Sequence, residues 1–454
     1  MSDIGADPQA LLDHVLDVAK RAGATAADAL FITGRSTSVR VRLGATEQVQ
    51  QSRDKGVGVR VFVGDRSATT STSDLSRAAI DALIARTVAA ARVTAADPFA
   101  GLPDAALFDE PLTALDLELF DPAVAAFDAE RAIAIARETE AAALGQDPRL
   151  TNSEGAEMGW GDSALHFANS LGIYRARQSS TVSLWTTPVA EDGAEKQRDY
   201  WWTSARHLAD LDAPEAVGRE AARRTLRRLG AKKPVTCKVP IIFEAPVASS
   251  LLGALAGAIN GSALYKDASY LCGKLGEIIA PAFITIRDNP HIPRAPGSRD
   301  FDAEGLPTRA TRVVDEGVLS SWLLDTYTGK KLGLESTRGA RRGLTSTPSP
   351  GSSNFWMDNG DHTLAELIAG IRRGLLVTET SGFGVSTVTG DYSQGIVGVW
   401  IEDGALAYPV HEATIASTLP KMWAAIDALG NDRDPRRGTS APSFRIAEMT
   451  VAGT

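Results

Sequence analysis

Residues 374–417, GLLVTETSGFGVSTVTGDYSQGIVGVWIEDGALAYPVHEATIAS, decide how the rest of the chain is read. The stretch is dense in glycine and β-branched residues and contains neither lysine nor arginine. Its fixed charges are the carboxylates Glu379, Asp391, Glu402, Asp403 and Glu412. GVWIE (398–402) and ALAYPV (405–410) flank Asp403-Gly404, a pair that tolerates the positive φ angles of a two-residue type I′ turn, so they read as a hairpin. Upstream, Gly382, Gly384, Gly390 and Gly395 mark places where backbones pass closely or a strand bulges, since no Cβ obstructs them. Such strands suit a peptide-sized groove, and they suit a β-rich core with tight turns as well. The candidate groove residues are Thr378, Glu379, Gly382, Gly384, Thr389, Gly390, Asp391, Tyr392 and Ser393.

Working outward, the chain before this stretch passes twice from helix to strands and back. Residues 8–21 space Leu11, Leu12, Val15, Leu16 and Val18 as an amphipathic helix. Residues 28–72 alternate as three or four antiparallel strands with a turn at Gly64-Asp65. Residues 73–93 return to helix, with Ser73 and Asp74 as cap candidates. A linker rich in Pro, Ala and Asp follows over 94–121. The order then repeats: a helix over 122–144, strands within 150–202, and a helix over 211–230 opened by Asp212 and closed by Gly230. Residues 231–454 are β-rich, with a hairpin over 312–325 turned at Asp315-Glu316-Gly317 and a loop at 345–354 that is flexible by composition. The expected class is α+β: two helix–antiparallel-strand modules, 1–93 and 122–230, followed by a large β-rich C-terminal domain.

Composition narrows the partners. The 454 residues, 44% apolar and 23% charged, suit a soluble globular protein of two or three domains. A net charge of −9 opposes a nucleic-acid or anionic-membrane partner, whose phosphates attract a basic face. The basic run at 219–233, REAARRTLRRLGAKK, lacks stacking aromatics and is expected to be a solvated helix face. Residues 239–259 are almost uncharged, but Glu244, Pro240 and Pro246 divide them into a strand and a helix rather than a membrane span. Cys237 and Cys272 form no disulfide framework and suit a reducing, cytoplasmic compartment. The opening MSDIGADPQALLDHVLDVAKRAG has no signal-peptide pattern.

Several motifs in order carry a family resemblance. They are Val377-Thr378-Glu379, Thr389-Gly390-Asp391-Tyr392-Ser393 with Gly395, Tyr408-Pro409-Val410 with Glu412, and Thr414-Ile415-Ala416. DTYTGKKLG (325–333), GND (430–432) and EMTVAG (448–453) extend the series over about half of the chain. Together they resemble the C-terminal domain of the TldD/PmbA family. The two N-terminal modules are similar to that family's first and second domains by order of elements rather than by motif.

The resemblance directs attention to zinc. A zincin-type peptidase sets two histidines at i and i+4 on one helix face, with a glutamate to activate the bound water. Here the one His-Glu pair, His411-Glu412, lies at a strand end with no second histidine after it. In the metal-bearing branch of the family, the zinc helix carries H-E-x-x-x-H and a cysteine follows the GND motif. The corresponding residues here are LLGALAGAING (251–261) and RRGTS (436–440), without His, Glu or Cys. The resemblance is therefore to the PmbA (TldE) branch. It implies a non-catalytic subunit that holds no cofactor itself, pairs with a zinc-bearing TldD-type paralogue and helps bind an unfolded peptide. A homodimer in the partner's absence is also open.

Other chemistry finds less support. Gly382-Phe383-Gly384 fails a full G-x-G-x-x-G, and no phosphate loop is present. Ser393 has no evident histidine base, Lys330-Lys331 reads as a solvated pair, and Asp391 with Tyr392 either braces a turn or lines a groove. The apolar helix around Ala254 and Ala258 either meets another chain closely or packs on its own sheet. A pure interaction protein, as in the family's older label of DNA gyrase modulator, and a self-sufficient hydrolase are the alternatives.

Overall fold

The computed structural model describes residues 7–453, so the first six residues of the opening segment read above lie outside it. Helix α1 (Pro8–Arg21) starts where the Asp7 carboxylate accepts from the Gln9 and Ala10 N–H groups, and it buries Leu11, Leu12, Val15 and Val18. Three strands follow, β1 (Ala26–Arg42), β2 (Ala45–Val63) and β3 (Arg66–Thr72), then helix α2 (Arg77–Val93). Ser76 caps α2, later than the expected Ser73 or Asp74; the Asp74 side chain instead accepts from the Ser76 N–H.

The second set contains α3 (Pro122–Ala125), α4 (Ala129–Leu144), β4 (Leu150–Asn169), β5 (Tyr174–Asp192), β6 (Glu195–Arg198), β7 (Trp201–Ala205) and α5 (Pro214–Leu226). The single helix expected over 122–144 breaks because Asp128 caps a new one through the Arg131 N–H. Likewise α5 opens at Pro214 rather than Asp212 and ends before Gly230. The two sets are not separate sheets. β1 pairs with β4 from Asp28–Asn169 to Val41–Ala156, giving one antiparallel sheet in the order β3-β2-β1-β4-β5-β6, with β7 also on β5. Helices α1 and α2 cover one end of it, and α4 and α5 cover the other. Residues 45–54 of β2 pair with β1 on one side; among the described residues no strand covers the other, and nearly all of them are exposed.

The third part begins with β8 (Cys237–Phe243), α6 (Ala245–Ala258), α7 (Gly261–Leu264), β9 (Ile286–Asp288), β10 (Thr311–Asp315), β11 (Val318–Leu319) and α8 (Thr326–Leu332). It continues through β12 (Phe355–Met357), α9 (Leu364–Ala369), β13 (Arg373–Ser381), β14 (Asp391–Glu402), β15 (Ala405–Thr418) and α10 (Leu419–Ala424). Strands β16 (Ile426–Leu429), β17 (Thr439–Ser440) and β18 (Phe444–Ala452) complete it. Strands β15, β14, β13, β8 and β18 pair in succession, and β15 pairs back with β18, so the ring closes on itself and its members lose their free edges. A smaller sheet runs β11-β10-β9-β12-β17. The expected hairpins form: Asp403 and Gly404 take φ of 47° and 79° between β14 and β15, and Glu316 and Gly317 take 47° and 83° between β10 and β11. The architecture is mixed α+β. Among the described residues no helix is long and apolar enough to cross a membrane, and both cysteines are free.

Ion pairs dock these parts together, and here the reading of the basic run is corrected. Arg224 is buried rather than solvated, and Arg227 and Arg228 are partly so. Arg227 Nη1 and Nη2 donate to the two Glu244 oxygens at 2.8 and 3.0 Å, and Arg228 Nη1 donates to Glu379 Oε2 at 2.8 Å. Arg219 and Arg223 do face solvent; Arg224 at the end of the helix, and Arg227 and Arg228 just beyond it, instead meet carboxylates of the third part. The linker is strapped down in the same manner: the Tyr327 hydroxyl donates to Asp97, Arg309 and Arg338 pair with Glu110, and Arg294 pairs with Glu118. Lys331, read as solvated, pairs with Asp97 and lies over the Phe99 ring. The 345–354 loop is pinned too, since the Ser353 N–H and hydroxyl both donate to the buried Asp288 carboxylate.

Candidate functional site

The nine groove candidates do not share one surface. Thr378 is the extra residue of a bulge in β13, opposite Val397, and its hydroxyl donates to the Val397 carbonyl at 3.2 Å. Glu379 is held by Arg228, just past the end of α5. Gly382 has φ of 99°, and Gly384 lies so close to β14 that a Cβ there would stand 1.9 Å from the Ser393 carbonyl oxygen. Across that contact the Ser393 N–H donates to the Gly384 carbonyl at 2.7 Å, while Ser393 itself is exposed. Tyr392 lies in the core, and burial pushes its hydroxyl pKa up.

Thr389, Gly390 and Asp391 do come together. The Thr389 hydroxyl donates to the Asp391 carboxylate at 2.6 Å, and the Ser386 N–H donates to the Asp391 carbonyl. Gly390, at φ of 80°, is wedged between Pro420 and the Tyr270 side chain. Asp391 thus braces this turn.

Pro420 and Tyr270 also line a cavity of about 460 Å³ with Leu271, Ile278 and Trp423. Its walls come from the loop after α7 and from α10, where no sequence motif drew attention. The only signal was the apolar spacing of Leu271, Leu275 and Ile278 in a loop. Trp423 is 1% exposed, and among the described residues neither its indole N–H nor the Tyr270 hydroxyl, both sealed from solvent, has a hydrogen-bond partner. The two groups are neighbours without meeting hydrogen-bond geometry. The charged lining residues, Lys274 and Glu277, pair with each other at 2.8 Å.

Helix α6 runs nearby. Its buried side carries Leu251, Leu252, Leu255 and Ala258; its exposed side carries Ser250, Gly253 and Gly257. Gly257 faces the 382–390 loop, where a Cβ would lie 3.6 Å from Thr387 Cγ2. Ala258 is fully buried in this chain's own core and offers another chain no surface, and Ala254 is partly buried against the same core. The helix is apolar because it fills the space between the ring and the smaller sheet.

Comparison with known proteins places this geometry. Models of the PmbA/TldA metallopeptidase domain 1, central domain and C-terminal domain match residues 27–91, 122–229 and 236–453. The metalloprotease PmbA of Escherichia coli O157:H7 is 38% identical over 419 residues, covering 92% of this chain and 90% of that protein. The chain belongs to the PmbA/TldD metallopeptidase family. A solved Bacteroides thetaiotaomicron protein, described as a candidate modulator of DNA gyrase, superposes with a TM-score of 0.92 at 31% identity, covering 99% of this chain and 100% of that one. TldE from Thermococcus kodakarensis shares the fold, with a TM-score of 0.87 at 20% identity, covering 98% and 100%.

Membership in a PmbA/TldD metallopeptidase family raises the question of a metal, and the donor set here does not fit one. The exposed side of α6 offers only Ser250 and glycines, with no imidazole, carboxylate or thiolate. Among the described residues no three His, Cys, Asp or Glu side chains are grouped to hold an ion. Four of the six histidines are engaged elsewhere: His14 with Asp81, His166 with Tyr174, His207 with the Glu118 carbonyl and His291 with Thr308. Beside His411, Glu412 pairs with Lys233 at 2.7 Å. In the region after GND, Arg436 is occupied by Asp434 and Asp212.

Proposed function

We propose that this chain is the subunit without zinc chemistry in a TldD/TldE-type metallopeptidase, cytoplasmic and acting on extended or unfolded peptides. The side of α6 that lacks donors carries this reading. A peptidase of the family needs zinc to activate water, and the helix that would hold it presents glycine and serine instead. The ion then belongs to a TldD-type paralogue, and this chain contributes the walls around the peptide. The similarity to metalloprotease PmbA supports the activity of the pair. The open edge of β2 supports the pairing, because over 45–54 the backbone groups that point away from β1 have no strand against them among the described residues.

Co-expression with a TldD-type paralogue tests the proposal. The two chains co-elute on size exclusion, zinc remains with the paralogue, and peptide cleavage appears only when both are present. Cleavage by this chain alone, or stoichiometric zinc in it, overturns the assignment.

A further inference from the structure

We propose that the pocket around Arg206, where the central and third parts meet, is a carboxylate site that takes the free C-terminus of a bound peptide. This deepens the peptide-handling reading given above and rests on it. The pocket holds about 270 Å³, and Thr181, Ser204, Arg206, Arg294 and Arg436 line it.

Arg206 is the cation here without a counter-charge. Arg294 pairs with Glu118 and Asp210, and Arg436 pairs with Asp434 and Asp212. Among the described residues the Arg206 guanidinium donates only to main-chain carbonyls: Nε to Ala295 at 3.1 Å, Nη2 to Pro296 at 2.8 Å and Nη1 to Ser180 at 3.5 Å. A guanidinium carries five N–H donors in a planar fork, so two remain after these three bonds. Ala295 and Pro296 line the same pocket, which places the guanidinium at its wall. Burial, and then the charge of Arg177, push the Arg206 pKa down to about 10. That is the direction taken by a cation that has lost water without gaining an anion. A carboxylate supplies the missing charge and accepts the remaining N–H groups, whereas a neutral carbonyl leaves the charge uncompensated.

The strands show how a peptide reaches it. β7 lies on β5 with Ser204 opposite Ser183 and Ala205 opposite Val182, so the next residue, Arg206, falls level with Thr181. Side chains alternate along a strand, which puts Ser204, Arg206, Thr181 and Ser183 on one face. That face continues through Gly161 and Gly159 of β4 to Ser36 and Ser38 of β1. The resulting trough carries small hydroxyl and glycine positions that let a backbone lie close, and Thr181 lines both the trough and the pocket. Behind the pocket stand Pro293, Pro296 and Pro435, whose fixed φ makes a stiff wall. The space is below the roughly 300–1,000 Å³ of a whole small-ligand site, so it suits the end of a chain rather than a segment that passes on.

Titration of the full chain, without a partner, tests the site. The probes are glycine-serine hexapeptides labelled at the N-terminus with an uncharged dye and read by fluorescence anisotropy. One ends in a free carboxylate, one in an amide, and a third carries an internal glutamate and ends in an amide. The free acid binds about tenfold tighter than either amide. The chain's net charge of −9 opposes that preference, so it cannot arise from overall charge. Arg206→Gln abolishes it by deleting the cation; if that variant does not fold, Ser204→Glu abolishes it by placing a carboxylate beside Arg206. Free acid and amide binding alike, or not at all, overturns the site, as does a preference that survives in a folded variant. An internal-glutamate amide as tight as the free acid overturns the C-terminal assignment, and inorganic phosphate as tight as the free acid makes the pocket a general anion site and overturns it too. The readout needs no peptidase activity. If the pair proves inactive while the acid preference holds, the subunit reading fails and the site stands; if the pair cleaves peptides while acid and amide bind alike, the site fails and the subunit reading stands.

Discussion

The Arg227 guanidinium grips the Glu244 carboxylate with two hydrogen bonds, at 2.8 and 3.0 Å, where the helix of the central part meets the first residue before α6. Burial raises the Glu244 pKa, but hydrogen bonding from Arg227 and the charges of Arg227 and Arg224 bring it below its ordinary value overall. Removing one partner of such a pair leaves the other charge buried and uncompensated. Glu244→Ala is therefore expected to lower stability by about 3–5 kcal/mol, measured as the urea midpoint at constant slope. A loss below about 1 kcal/mol would mean that the pair behaves as an exposed surface bridge.

Gly390 sits at φ of 80° with Pro420 and Tyr270 against it. Gly390→Val should cost about 1–3 kcal/mol from backbone strain, with the contact to Pro420 added. Ser393→Ala removes only an exposed hydroxyl and should change the melting temperature little. Equal effects of the two substitutions would show that the turn does not depend on glycine.

Glu304 is buried and accepts from the Thr326 N–H at 2.9 Å and hydroxyl at 2.7 Å. Burial first, and then the Asp302 charge, push its pKa from 4.5 up to about 8. Between these values the folded state keeps a proton that the unfolded chain releases. Its contribution is thus full below pH 4.5 and is lost as pH rises to about 8. Glu304→Gln keeps an acceptor for Thr326 but cannot ionise, so its melting temperature should fall less between pH 5 and about 8.5 than that of the parent. Parallel curves would show that Glu304 is ionised throughout.

The donor set of α6 predicts the response to chelation. EDTA should leave the melting temperature of the isolated chain unchanged and abolish peptide cleavage by the pair. A fall in the isolated chain's melting temperature would reveal a structural metal.

Much of this protein was legible locally. Leu11, Leu12, Val15 and Val18 recur at helical spacing, and α1 forms over the residues that spacing marks. Asp403-Gly404 and Glu316-Gly317 turn their hairpins because the glycine at the second position of each takes positive φ without a steric penalty. The family motifs are runs of neighbours and needed no coordinates.

What the tertiary structure decided concerns residues distant in sequence. The strand sets of the first two modules merge because β1 and β4 pair edge to edge, a register that no local period specifies. Arginines that read as a solvated face find Glu244 and Glu379, the latter 151 positions away. Ala258, equally suited by sequence to a core or an interface, is placed by folding in the core. Trp423 and Tyr270 frame a cavity although neither belongs to a motif. Backbone preference and hydrophobic period act over a few residues, so sequence alone determines turns, helices and family; which buried charge meets which partner depends on chain closure over hundreds of residues.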